Sequence, residues 1–145
     1  MPVTLGEDTH HTFSAENEPL SPAMVEQFIH PTDPEGQPDD EFTEYVPCFA
    51  IDGTGGFAAL VWWKAALLRY EYVLATFTPK GELIARRVIA FTRVSDNKVS
   101  RAVTTIDDDW VIFIAEGDAV AAGEVFDPTS SRTYDLEIMS TGEIV

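Results

Sequence analysis

From Val46 onward, short polar turns cut the chain into apolar, β-prone runs, and this punctuation limits its fold more than any other feature. Asp52-Gly53-Thr54-Gly55-Gly56, Pro79-Lys80-Gly81, Ser95-Asp96-Asn97-Lys98 and Asp107-Asp108-Asp109 are each too short to carry a crossover, so successive runs are expected to lie antiparallel. The runs are Val46 to Ile51, Phe57 to Trp63, Arg69 to Phe77, Glu82 to Val94, Val99 to Ile106 and Trp110 to Ala115, with Arg132 to Met139 as the closing strand. Ala65 to Leu68 reads as a break between strands. Residues 116 to 131 hold Gly117, Gly123 and Pro128 and read as a long loop with one helical turn around Ala119 to Ala122. In the run Trp110 to Ala115 both alternating sets are apolar, which predicts a strand covered on both faces. A strongly curved or barrel-like sheet folded over itself satisfies that pattern best, and a sheet with a helix packed on one side is the next choice.

Upstream of the sheet the signals change. Residues 1 to 20 show neither a strand nor a helix period and read as a polar, acidic arm. Ser21-Pro22 supplies an N-cap and a first-turn proline, and Met24, Val25, Phe28 and Ile29 form one apolar stripe, so a short helix is expected over 21 to 30. Prolines, Gly36 and a run of acids make 31 to 45 an extended connector. The expected fold class is therefore α+β but mainly β: one domain over 1 to 145, with an antiparallel meander over 46 to 145 and one short N-terminal helix. A chain of 145 residues can bury about 68% of its unfolded surface, enough for a real core.

Charge is the most informative part of the composition. The net charge is -16, and residues 1 to 63 carry twelve acids with no Lys or Arg before Lys64. A polyanion would be repelled, so nucleic acid is not an expected partner. A basic protein partner or self-association is the expected kind of contact. The longest apolar run, Phe57 to Leu68, contains Lys64 and falls short of the roughly 17 residues that cross a bilayer, so no membrane is expected. Met1 to His11 carries no basic, apolar leader, which makes the cytoplasm the expected compartment.

Four places could carry chemistry. Asp107, Asp108 and Asp109 form the densest carboxylate cluster and could hold Ca²⁺ or Mg²⁺, yet aspartate also favours turns, and the spacing is not that of an EF-hand loop. Trp62 and Trp63 point to opposite faces of one strand, so one should enter the core while the other meets the helix or solvent as a possible anchor. Arg86 and Arg87 interrupt an apolar strand and suggest a bulge or edge, with one paired to an acid and anion binding as the minor alternative. Cys48, the single cysteine, lies in an apolar stretch where a buried inert thiol is the ordinary state. His10, His11 and His30 all precede the sheet, and the glycine-rich 52 to 56 lacks the lysine of a phosphate loop. No cofactor is expected. These features favour a non-enzymatic binding or protein-interaction domain, with a hydrolase or metal-assisted hydrolase using the acids as the alternative.

Overall fold

A computed structural model describes residues 3–5, 20–32, 43–51, 55–66, 69–95, 98–107, 109–120 and 125–145. The described chain builds eight antiparallel strands: β1 (Val3–Leu5), β2 (Glu44–Ala50), β3 (Ala58–Ala66), β4 (Arg69–Phe77), β5 (Leu83–Ser95), β6 (Lys98–Ile106), β7 (Val111–Val120) and β8 (Val125–Glu137). β2 to β8 follow one another in sheet order as they do in sequence, and β1 pairs with β6. The meander is thus the observed topology.

Among the described residues β2 and β8 are the ends of the sheet and no pairing joins them, so it is not closed into a barrel. It nevertheless bends over itself, because Val46 of β2, Trp63 of β3, Leu74 of β4, Ile106 of β6 and Ile112 of β7 share one buried cluster with Ile138 and Ile144 of the C-terminal tail. The bend is visible in the pairing. β6 follows β5 only through Phe91–Ser95; beyond Ala102 it parts from β5 near the bulge opposite Tyr72 and Val73, and Val3–Leu5 pairs there with Thr104–Ile106. Leu5 is fully buried in that position. The N-terminal arm therefore supplies a strand that three residues in a polar stretch were too few to announce.

Two further strand expectations are corrected. β7 runs on to Val120 and β8 begins at Val125, so most of the expected loop over 116 to 131 is strand. Pro128 is compatible with this because β8 is an edge strand, where a missing N–H breaks no inner ladder. The expected break at 65 to 68 begins inside β3, which includes Ala65 and Ala66, and Leu67 and Leu68 fall outside the described residues.

The expected helix is present but irregular. Pro22–Met24 is α-helical (α1), Val25–Ile29 forms a π turn and His30–Thr32 a 3-10 turn. The Met24 N–H donates to Ser21 Oγ at 3.3 Å, the capping bond that Ser21-Pro22 implied. This helical segment packs on the other side of the sheet from the main core, where Val25, Tyr45, Trp62, Val73 and Ala75 form a second buried cluster joined by Leu20 and Ile29. The wider π turn rotates the apolar stripe, so Val25 and Ile29 reach the sheet while Met24 and Phe28 stay exposed.

Three turns share one hydrogen-bond pattern. Thr78 to Glu82, Asp107 to Val111 and Met139 to Glu143 each bond the first N–H to the fifth carbonyl and the fourth N–H to the first carbonyl. The fourth residue takes positive φ: 88° at Gly81, 91° at Gly142 and 65° at Trp110. Glycine accepts this at no steric cost, whereas Trp110 must be held in it. The holding contacts are its edge-on packing with Phe57 at 5.9 Å and the bond its carbonyl oxygen accepts from Ile138 N–H at 3.0 Å.

Candidate functional site

The residues singled out in the sequence fall in separate places. Trp63 enters the main core and stacks on Tyr70 with ring centroids 5.9 Å apart, while Trp62 lies in the second cluster beneath the helical segment. Arg86 and Arg87 sit between the two bulges of β5 rather than at either one. The Arg87 guanidinium donates to the backbone carbonyls of Arg86 at 3.0 Å and Ile144 at 3.3 Å, which ties it to the C-terminal tail. Asp107 Oδ1 accepts the N–H groups of Asp109 and Val111, both at 2.9 Å, which makes it the cap of its own turn. Asp108 lies outside the described residues, and among those described no group of three or more His, Cys, Asp or Glu side chains is placed to hold a metal ion.

The sequence did not reveal the densest charged group among the described residues, because it exists only through strand register. Glu71, Phe91, Ala102, Glu116 and Arg132 stand opposite one another across β4 to β8, and Arg69, Arg93, Ser100 and Asp118 make the next row on the same side. Glu71 is buried, and its Oε1 accepts from Arg69 Nε at 2.8 Å and Arg93 Nη2 at 3.2 Å. That bridge offsets the repulsion of two arginines placed directly opposite each other. The Arg93 guanidinium also lies 4.0 Å over the Phe91 ring. Lys98 Nζ at 2.8 Å and Ser100 Oγ at 2.7 Å hold Asp118 below the usual carboxylate range, the lysine being the larger cause. Arg132 Nε pairs with Glu116, which raises the arginine further, and burial followed by the Glu116 charge pushes the Tyr134 phenol up. Glu71, Glu116 and Asp118 are thus each paired with a cation, and the rows link β4 to β8.

The other feature is apolar. Where the helical segment meets β2 and β3 it leaves a groove of about 350 Å³. Leu20, Met24, Phe28 and Ile29 form one wall, Pro47 to Ala50 the second, and Leu60 to Trp62 the floor. Met24, Phe28 and Leu60 are 45%, 55% and 41% exposed, high values for large apolar side chains gathered at one place. The groove follows from two local causes: the π turn that swings Met24 and Phe28 outward, and the irregular β2–β3 pairing between Pro47 and Phe49. Cys48 lies in its wall, half-buried, with its thiol donating to the Val46 carbonyl at 3.6 Å. Burial pushes that thiol up to about 12, which keeps it neutral and unreactive.

A second exposed apolar area lies on the side of β6 to β8 that faces away from the main core, around Val103 and Phe113, 44% and 52% exposed. The expectation that the Trp110 to Ala115 run would be covered on both faces is corrected here: Ile112 and Ile114 are buried, while Phe113 and Ala115 are exposed. No described helix is long and apolar enough to cross a membrane. No protein-family model, curated protein or solved structure matches the chain.

Proposed function

We propose that this chain is a protein-interaction domain that presents the groove between its helical segment and β2–β3 to a partner. The observation that carries this reading is the gathering of Met24, Phe28 and Leu60, all largely exposed, along one apolar groove. Groups of this kind serve as interface anchors, and methionine adapts its shape to what it meets. The hydrolase alternative has less support, since the carboxylates of Glu71, Glu116 and Asp118 are each engaged by a cation. Affinity capture from a lysate of the source organism tests the proposal when the wild-type chain is run beside Leu60→Ser. A protein retained by the first and lost by the second supports the groove as the contact surface; equal retention by both removes it.

A further inference from the structure

We infer that the groove binds a free fatty acid, with the hydrocarbon chain along Leu60 and Trp62 and the carboxylate at Lys64. The lining sets the body of the ligand. Apart from the neutral Cys48 thiol and the Trp62 indole N–H, its side chains are apolar, so a polar body would give up water there without gaining partners. The volume of about 350 Å³ lies within the range of small-molecule sites. Register sets the head. Trp62 pairs with Pro47, both lining the groove, and the next pair along the same face is Lys64 with Tyr45, about 7 Å further on. The N–H of Leu20, a residue of the groove wall, donates to the Tyr45 carbonyl at 2.7 Å, so this pair stands at one end of the groove. Lys64 is half-buried with its Nζ 5.6 Å from the centre of the Tyr45 ring, and among the described residues it forms no ion pair. Glu71 stands opposite it in register but accepts from Arg69 and Arg93, so three cations surround one carboxylate there. Glu44 alternates with Tyr45 onto the other face. An added carboxylate is therefore favoured locally despite the net charge of -16, since salt screens exposed acids further than about 8 Å away. An apolar body with a single anionic end is a fatty acid; a neutral amphiphile leaves Lys64 unused, and a cationic one is repelled. The chain would cover Met24, Phe28 and Leu60, so this inference goes beyond the interaction-domain reading and sets the acid in competition with a protein partner.

The test uses the full chain, freed of lipid, and sodium decanoate below its micelle-forming concentration, read by isothermal titration calorimetry at neutral pH. Saturable binding is expected. Decanol, of the same length without the charge, should bind about tenfold more weakly. Octanoate, shorter by two methylenes worth roughly fourfold each, should also bind more weakly by about tenfold. Lys64→Gln should bind acid and alcohol alike, whereas Lys64→Arg should keep the preference for the acid, with circular dichroism checking that both are folded. Leu60→Ser alters a largely exposed side chain and should weaken acid and alcohol together by about tenfold. Phe113→Ser, on the second apolar area, should change neither. Decanol bound as tightly as decanoate by the wild type, or a preference for the acid that survives in Lys64→Gln, overturns the placing of the carboxylate and with it the inference. Binding lost in Phe113→Ser and kept in Leu60→Ser moves the ligand to the other area and overturns it as well. Absence of saturable binding overturns the inference and leaves the interaction-domain reading standing, because the lysate capture compares the wild type with Leu60→Ser and no acid is added there. Equal retention in that capture, with decanoate bound as expected, removes the protein partner alone.

Discussion

The sheet has two apolar areas outside its main core, and only one is covered. On β2 to β5 the helical segment buries Trp62, Val73 and Ala75; on β6 to β8 Val103 and Phe113 remain in water. Register explains the difference. Trp62 pairs directly with Val73, so two large apolar side chains adjoin and demand a cover. Phe113 instead stands between Thr105 and Asp135, and Ala115 stands between Val103 and Thr133. Polar neighbours on the adjoining strands hydrate the second area, and scattered apolar side chains on such a surface need no lid. Apolar content alone did not decide which face was covered; the cross-strand neighbours did.

The largest contrast should come from placing one charge on each area. Val73→Asp puts a carboxylate at a fully buried position whose desolvation costs several kcal/mol, comparable to the ~5–15 kcal/mol that holds a domain of this size together. Loss of the cooperative urea transition and of dispersed amide resonances is expected. Phe113→Asp, which would face Asp135 across β7 and β8, should keep both at a loss of about 1 kcal/mol. Retention of the native spectrum by Val73→Asp would mean that the helical segment does not seal that side.

Cys48 reports on the same cover from within. With its thiol near 12, the thiolate fraction at pH 8 is about a thousandfold below that of an unperturbed cysteine, so iodoacetamide labelling should be slower by about that factor. The folded-state value is raised, so both states are neutral below the ordinary cysteine range. As pH climbs from there toward about 12, the unfolded chain ionises first and stability is lost. Labelling of the native protein at the rate of a free thiol would show that the wall of the groove opens readily.

Much of this contrast was legible in the sequence. Alternation and turn residues located β4 to within a residue and β2, β3, β5 and β6 nearly as well, because each is a long run bounded by Gly, Pro or Asp. Gly81 marked one of the three similar turns, and Gly142 holds the same place in another. Trp110 did not mark the third: an aromatic residue reads as strand, and its left-handed backbone depends on Phe57 and Ile138, distant in sequence. The end of β7 and the start of β8 were hidden by Gly117 and Pro128, which an edge strand and its neighbour tolerate. Of the candidate site residues, Trp62 and Cys48 are the ones that line the groove. Met24 and Phe28 were placed on one apolar stripe with Val25 and Ile29 at an α-helical period, where the chain makes a π turn. The charged rows required register, which no local pattern encodes.

Between the extremes lies the anchor of the cover. Val25 is the buried contact of the helical segment with the second cluster, and Val25→Ala removes two methyl groups from it. A loss of about 1–2 kcal/mol, roughly tenfold in the unfolding equilibrium, is expected as a lower urea midpoint at unchanged slope. The same variant should speed Cys48 labelling, since local opening of the segment becomes easier. A change in stability without any change in labelling would place the thiol behind β2 and β3 alone.

The smallest effect is expected at Phe113, and its smallness is the sharpest check on the comparison. If the β6 to β8 area is hydrated surface, Phe113→Ser trades an exposed ring for a hydroxyl and removes little burial on folding, so the unfolding free energy should stay within about 1 kcal/mol of the wild type. Strand propensity lost on replacing an aromatic residue is the main term opposing that, and it falls within about 1 kcal/mol. A loss of 2 kcal/mol or more would show that the ring is buried against something in solution. Repeating the measurement across protein concentrations then identifies the cover: a loss that grows with concentration belongs to a contact between copies, whereas a constant loss belongs to the chain itself. In either case the two areas would be alike in being covered, and the polar neighbours of Phe113 would no longer explain why one of them needs no lid.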